Sequence, residues 1–255
     1  MEGLYLGLNL RDSQRTDRAF VYSSFVMSLD GRIAVGQPDD SIGGVPAAIA
    51  NDRDWRLFQE LAIQADVLIT SGRYARRRMY GNADPIVTVY DDPRLADLVS
   101  WRRDHGLPDQ PVVAVVSRSL DFDPSGLHAG DVIVITANSA DSERVGAIRQ
   151  AGLPVHIAGD DSVEGSEMAR QLAEEGLRIA FSAAGPQVLW TLIDAGRLDR
   201  LFLTLTDRIL GGESYTGLVE GAVFRTPVRM GLKSLYLDQG SDGATEQLFV
   251  SYFPT

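Results

Sequence analysis

The sequence has no cysteine, which excludes disulfides, thiol nucleophiles and thiolate metal sites. Its three histidines, His105, His128 and His156, lie too far apart to give a metal-ligand spacing. Lysine is nearly missing: Lys233 is the single one among 24 basic residues, and the rest are arginine. Because the depletion holds along the whole chain, it reads as a composition bias and marks no site. Positive charge is also short. The formal net charge is -11 and the pI about 4.7, the wrong sign for gripping a nucleic-acid backbone. No apolar run approaches the roughly 18–20 residues that span a membrane. Residues 1–20 mix acidic and basic side chains without an apolar core, so no secretory signal is expected and the cytoplasm is the default location. Neither a Walker loop nor a GxGxxG fingerprint is present.

What is present is an ordinary folded composition: 255 residues, 44% hydrophobic and 23% charged, enough for one large domain or two small ones. Short apolar, β-branched runs predict strands at 20–27, 67–70, 112–116, 132–136, 154–157, 178–182 and 200–206. Helices are expected between them: one capped by Asp52 with Trp55, Phe58, Leu61 and Ala65 on its apolar face, then 95–104, 142–150, 166–175 and one opening at Pro186. Residues 73–92, rich in arginine, read as irregular, and 36–45 and 117–130 as loops. Two alternating segments, 234–237 and 247–253, predict half-buried antiparallel strands. The expectation is a single α/β domain over 20–255, mostly parallel with an antiparallel C-terminal end, preceded by an N-terminal arm over 1–19.

In open α/β sheets ligands bind at the carboxyl ends of strands, and four such ends carry unusual chemistry. Thr70-Ser71-Gly72-Arg73 is small and polar, with a glycine that admits close approach. Ser117-Arg118-Ser119 offers two hydroxyls and a guanidinium, a grip suited to phosphate. Ala183-Ala184-Gly185-Pro186-Gln187 is a small turn at a helix N-terminus, where free N–H groups favour an anion. Ser28-Leu29-Asp30-Gly31 places a carboxylate just past a buried strand. Each also has a plain structural reading: tight packing for the small turns, a solvated side chain for Arg118, and a self-bonded turn for Asp30. No Ser/His/Asp arrangement or carboxylate cluster stands out. Chemistry carried by a bound cofactor, such as hydride transfer, is what this set of residues suits.

The order of these motifs resembles the pyrimidine reductases of the riboflavin pathway, within the dihydrofolate-reductase-like superfamily. The matching segments are Met27-Ser28-Leu29-Asp30-Gly31-Arg32-Ile33-Ala34, Ala65-Asp66-Val67-Leu68-Ile69 with Ser71-Gly72, and Val115-Val116-Ser117-Arg118-Ser119-Leu120-Asp121. Gly185-Pro186, Ala195-Gly196-Arg197-Leu198-Asp199-Arg200-Leu201 and Leu210-Gly211-Gly212 complete the series. The resemblance implies a dihydrofolate-reductase-like fold, a homodimer, and NADPH as hydride donor to a small heterocyclic substrate. The first-guess substrate is 5-amino-6-(5-phosphoribosylamino)uracil. It further implies that Thr70, Ser71, Gly72 and Arg73 lie by the cofactor. Ser117, Arg118 and Ser119 would meet its 2′-phosphate end, and Ala184, Gly185, Pro186 and Gln187 its pyrophosphate. Ser28 and Asp30 would sit by the substrate, with Asp30 orienting it or relaying a proton. The pyrophosphate turn reads Ser182-Ala183-Ala184-Gly185 where the family often has Glu-Gly-Gly. Two alternatives stay open: a dihydropterin-type reductase on the same fold, and, motivated by that turn and by Ala62 where the family usually has Arg, a nucleotide-binding homologue without catalysis.

Overall fold

The computed structural model describes residues 2–36, 45–79, 86–90, 92–240 and 246–255. Most of the loop expected at 36–45, together with Gly81 and Pro85, lies outside these residues. The strands are β1 (Phe20–Met27), β2 (Arg32–Val35), β3 (Val67–Ser71), β4 (Val112–Val116), β5 (Val132–Thr136), β6 (Val155–Ile157), β7 (Ile179–Ser182), β8 (Arg200–Thr206), β9 (Tyr215–Gly217), β10 (Met230–Asp238) and β11 (Gln247–Pro254). The helices are α1 (Asp52–Ala62), α2 (Gly72–Met79), α3 (Ala96–Asp104), α4 (Ser142–Gln150), α5 (Gly165–Glu174) and α6 (Pro186–Asp194).

Nine strands form one sheet in the order β10-β11-β8-β1-β7-β3-β4-β5-β6. From β8 to β6 neighbouring strands are parallel; β11 runs antiparallel to β8, and β10 antiparallel to β11. A mostly parallel sheet must be covered on both faces, which is why β3, β5 and β7 are near-continuous apolar runs. One face packs Tyr22, Leu68, Phe181, Phe202 and Phe249 under α1, α3 and the N-terminal segment. The other packs Val21, Ile69, Ala180, Leu201 and Leu203 under α5 and α6. At the centre, Tyr22 stacks on Phe181 at 5.1 Å and donates its hydroxyl to Leu61 O at 2.7 Å. Burying each such side chain is worth roughly 1.5–3 kcal/mol, provided the polar tip finds a partner, as here.

Three expectations change. The cap of α1 is Asn51, one residue before Asp52; its backbone is extended and its side chain accepts from Arg53 N and Asp54 N. The buried face of α1 carries Arg56, Leu57, Gln59, Glu60 and Leu61, while Trp55 is exposed. The cause is the N-terminal segment, whose residues 3–10 pack against that helix and its C-terminal end. Tyr5 and Leu10 enter the core, Glu60 accepts from Gly3 N and Tyr5 N, and Gln64 accepts from Leu10 N. The third change is α2, a helix where the sequence read as irregular; its arginines are good helix formers and Gly72 stands at its first position. Past the end of α1, Arg102 of α3 is buried and donates to Ile63 O at 2.6 Å and Ala65 O at 2.9 Å, carbonyls left free by the helix end.

Candidate active site

The parallel strands all point one way, so the ends of β8, β1, β7, β3, β4 and β5 line up along a single edge of the sheet. The four sequence motifs follow β1, β7, β3 and β4, which are consecutive in that edge. They are therefore brought together over three strand spacings, about 14 Å. The chain enters β7 between β1 and β3 after building β4 to β6, so the turn Ala183–Gln187 sits where the winding reverses. That is the switch point at which open sheets leave a crevice.

Asp30 is fixed from two directions. Its Oδ1 accepts from Ser28 Oγ at 2.5 Å and Leu210 N at 3.2 Å; its Oδ2 accepts from Gly211 N at 3.0 Å and pairs with the Arg32 guanidinium. The Ser28 hydroxyl, the Gly211 and Leu210 amides and Arg32 hold its carboxyl well below the usual carboxylate range. Such a group is a permanent anion that ties the β1–β2 turn to the loop after β8. Gly211 and Gly212 take left-handed φ values of 66° and 100° there, a conformation that suits glycine. Arg32 completes the clamp, donating to Gly212 O at 3.2 Å and lying 4.6 Å over the Tyr215 ring. The Ser28 hydroxyl is buried and occupied by Asp30 and Arg32 N.

At the end of β3, Thr70 is buried, Ser71 half-buried and Arg73 exposed. Gly72 serves close packing: a Cβ there would lie 2.8 Å from Ser117 Oγ. Ser117 is itself buried and accepts from Leu120 N at 3.0 Å, which shapes the loop that carries Arg118 and Ser119 outward. Those two exposed residues join Ser139, Ala140, Asp141, Arg144 and Asp161 around an open cleft of about 620 Å³ at the ends of β4 and β5. Arg144 is oriented by Ser119 O at 2.9 Å and Asp121 Oδ1 at 3.4 Å. At the end of β7, Ala184 is buried and Gly185 caps α6 with no side-chain hydrogen bond; Pro186 follows as the first helical residue and Gln187 is exposed. A Cβ at Gly185 would meet open space, so room exists for a ligand beside the helix N-terminus.

Ser139, Asp141, Arg144 and Asp161 form no local motif in the sequence, because they come from the segments after β5 and β6 and from the N-terminal turn of α4. Asp54 was missed too. It is a half-buried carboxyl on α1, bonded to the Thr204 hydroxyl and pushed up to about 6 by burial.

The RibD C-terminal domain family matches residues 19–240. The chain is 26% identical over 106 residues to the 2,5-diamino-6-ribosylamino-4(3H)-pyrimidinone 5′-phosphate reductase of Aquifex aeolicus, a match over 42% of this chain and 47% of that protein. The match thus spans about half the length of that relative. Among solved structures, a pyrimidine reductase-like protein from Corynebacterium diphtheriae superposes with a TM-score of 0.70 at 19% identity, covering 94% of this chain and 93% of that one. RibD of Acinetobacter baumannii gives 0.63 at 14% identity over 98% of this chain and 62% of its own. The riboflavin biosynthesis reductase of Saccharomyces cerevisiae gives 0.55 at 14% identity, over 99% of both chains. The expected fold, an α/β domain with a mostly parallel sheet and antiparallel C-terminal strands, is the observed one. By its match over most of its length, the chain belongs to the RibD C-terminal domain family.

Proposed function

We propose that the chain is an NADPH-dependent reductase of a pyrimidine-type heterocycle, with 5-amino-6-(5-phosphoribosylamino)uracil as the first substrate to try. The observation that carries this reading is the run of four adjacent strand ends: a fixed carboxylate, an uncapped helix N-terminus with open space at Gly185, a small polar turn, and a cleft bearing Arg118. The chemistry named for the Aquifex relative, reduction of a ribosylaminopyrimidine phosphate, is of the same class.

When bound, the nicotinamide cofactor supplies a hydride. The residues of the chain bind and orient. Ala184, Gly185, Pro186 and Gln187 would hold the pyrophosphate at the α6 N-terminus. Thr70, Ser71, Gly72 and Arg73 would line the cofactor between the two ends, Gly72 by letting Ser117 pack close. Ser117 fixes the loop on which Arg118 and Ser119 reach the 2′-phosphate, Arg118 with a charge-assisted contact. Ser28 and Asp30 form the wall beside the substrate, and Asp30 acts there as a positioning anion.

Replacing Arg118 by alanine is expected to weaken NADPH binding about tenfold or more while changing NADH binding less than twofold, as loss of one charged hydrogen bond implies. Calorimetric titration of both cofactors reads this directly, and equal losses would move the 2′-phosphate elsewhere.

A second copy of the chain is the proposed partner. The sheet ends in an edge strand, β10, whose Leu232, Leu235 and Leu237 are 56%, 54% and 60% exposed. Leu235 and Leu237, two residues apart, share one face of β10 beside the half-buried Leu248 of β11, an exposed apolar strip that a second chain could cover. Sedimentation equilibrium should show a dimer that Leu235→Glu dissociates; a monomeric wild-type chain at micromolar concentration would remove the partner.

A further inference from the structure

Between β9 and β10 the chain crosses the outer face of α6, and a tryptophan of that helix holds it there. Leu218 and Val219 are half-buried against the α5–α6 side of the core. Glu220 then donates its amide to Pro186 O at 3.4 Å, in the first turn of α6. Gly221 lies flat on the Trp190 ring: a Cβ there would overlap the indole Cγ, Cδ1 and Cδ2, so this close approach needs glycine. Trp190 Nε1 donates to Ala222 O at 2.7 Å, and the indole stacks on Phe224 at 5.9 Å and 13°. Among the described residues, that is the single hydrogen bond reaching 221–228. Apart from Phe224 those residues are exposed, Val223 by 95%. Trp190 itself is half-buried and stands outside the core.

This strap leads to the carboxylate clamp. Gly217, four residues before Gly221, stands opposite Arg32 in the β2–β9 pairing. Four residues span at most about 14 Å, so a shift at Gly221 is felt by the paired strands. Gly36 N donates to Ser214 O at 3.0 Å and Ser214 Oγ to Gly36 O at 3.2 Å, closing the far end of the pair. Arg32 in turn pairs with Asp30 and donates to Gly212 O, while Asp30 accepts from the Leu210 and Gly211 amides. The β2–β9 ribbon is a separate two-stranded sheet, four residues against three. Ribbons of that size are marginal alone and need an anchor outside themselves. Here the anchors are the Leu218–Val219 contact and the Trp190 strap.

We propose that Trp190 is a positioning residue: it straps the β9–β10 connection to α6 and so holds the β2–β9 ribbon, Arg32 and Asp30 in register with that helix. The consequence for turnover rests on the reading of the chain as a nicotinamide-dependent reductase; the mechanical link does not. The two parts it joins are the two ends of the proposed site, the uncapped start of α6 and the Asp30 turn. A tie between them fixes the distance from a bound cofactor to the wall beside the substrate. A misplacement of about 1 Å can cost on the order of 100-fold in rate. Trp190 lies on the second turn of α6, away from the N-terminal amides, so its loss should appear in kcat and leave cofactor binding nearly intact.

Hydrogen exchange of the full chain reads the mechanical link. In Trp190→Ala the Leu210 and Gly211 amides should exchange about tenfold faster than in wild type. Trp190→Phe, which keeps a ring against Gly221 and loses the Nε1–H donor, should fall between the two. Gly221→Ala should speed the same amides while Trp190 is present and add nothing once position 190 is alanine, because the added Cβ clashes with the indole. In turnover with NADPH and 5-amino-6-(5-phosphoribosylamino)uracil, Trp190→Ala should lose about tenfold or more in kcat, and Trp190→Phe should recover part of it. NADPH affinity by calorimetry should stay within about twofold. Unchanged exchange at Leu210 and Gly211, effects of Gly221→Ala and Trp190→Ala that simply add, or a turnover loss matched by lost NADPH affinity would each overturn the assignment. Failure of the reductase reading looks different: the wild-type chain would neither bind NADPH nor reduce the pyrimidine, while the exchange pattern of the variants would stand.

Discussion

Glu60→Ala should lower the stability of the protein by about 3–5 kcal/mol, the usual cost of removing one partner from a buried ion pair. The Glu60 side chain is fully buried, yet its two oxygens accept from Gly3 N at 2.6 Å, Tyr5 N at 2.8 Å, Leu6 N at 3.3 Å and Arg56 Nε at 2.9 Å. Alanine would orphan three backbone amides of the N-terminal segment and leave Arg56, itself buried, with Asp97 as its remaining carboxylate. The same carboxylate sets the position of Tyr5, whose ring packs 4.8 Å from Phe202. Urea unfolding reads the loss, and hydrogen exchange should show the amides of Tyr5 and Leu6 opening first. A loss below 1 kcal/mol with those amides still protected would mean that the segment is held by its apolar contacts alone.

The second large effect has the opposite sign and depends on pH. Burial raises the Asp54 carboxyl from 3.8 to about 6. A raised acid stabilises the fold while protonated and loses that contribution as pH rises through the folded value. From pH 4 to pH 7 the shift corresponds to at most about 3 kcal/mol, less any relief from the solvent that reaches this half-buried group. Asp54→Asn removes the charge and keeps the shape. It should leave stability nearly unchanged at pH 4 and raise it by about 1–3 kcal/mol at pH 8. Thermal unfolding of both proteins across that range is the measurement. A variant no more stable than wild type at pH 8 would show the carboxyl to be well solvated.

Much of this was legible in the chain. Strands such as Val67–Ser71 and Val132–Thr136 announce themselves because a parallel sheet buries both faces and leaves no room for alternation. The strand-end motifs were legible for a similar reason: small and polar residues after a buried run have few uses. What failed depended on contacts distant in sequence. The polar positions of α1 are buried because residues 2–13 lie over them, and no local pattern shows that Glu60 meets Gly3 and Tyr5. Strands β2 and β9 are four and three residues long, and it is their mutual pairing that makes them strands. Asp54 is the sharpest case. In sequence it is one more acidic residue in the first turn of a helix; Thr204, which defines it, is 150 positions away. Asp30 shows the converse. Its motif marks it as a candidate, but the Leu210 and Gly211 amides that help make it a fixed anion are 180 and 181 positions away.

Calorimetric titration of the wild-type chain with NADPH, set beside NADH, asks whether the aligned strand ends form a nicotinamide dinucleotide site. Saturable binding of one NADPH per chain, at least tenfold tighter than NADH, is the expected result. Absence of binding by either would contradict it, and would mean that Ser182-Ala183-Ala184-Gly185 closes the turn the cofactor needs.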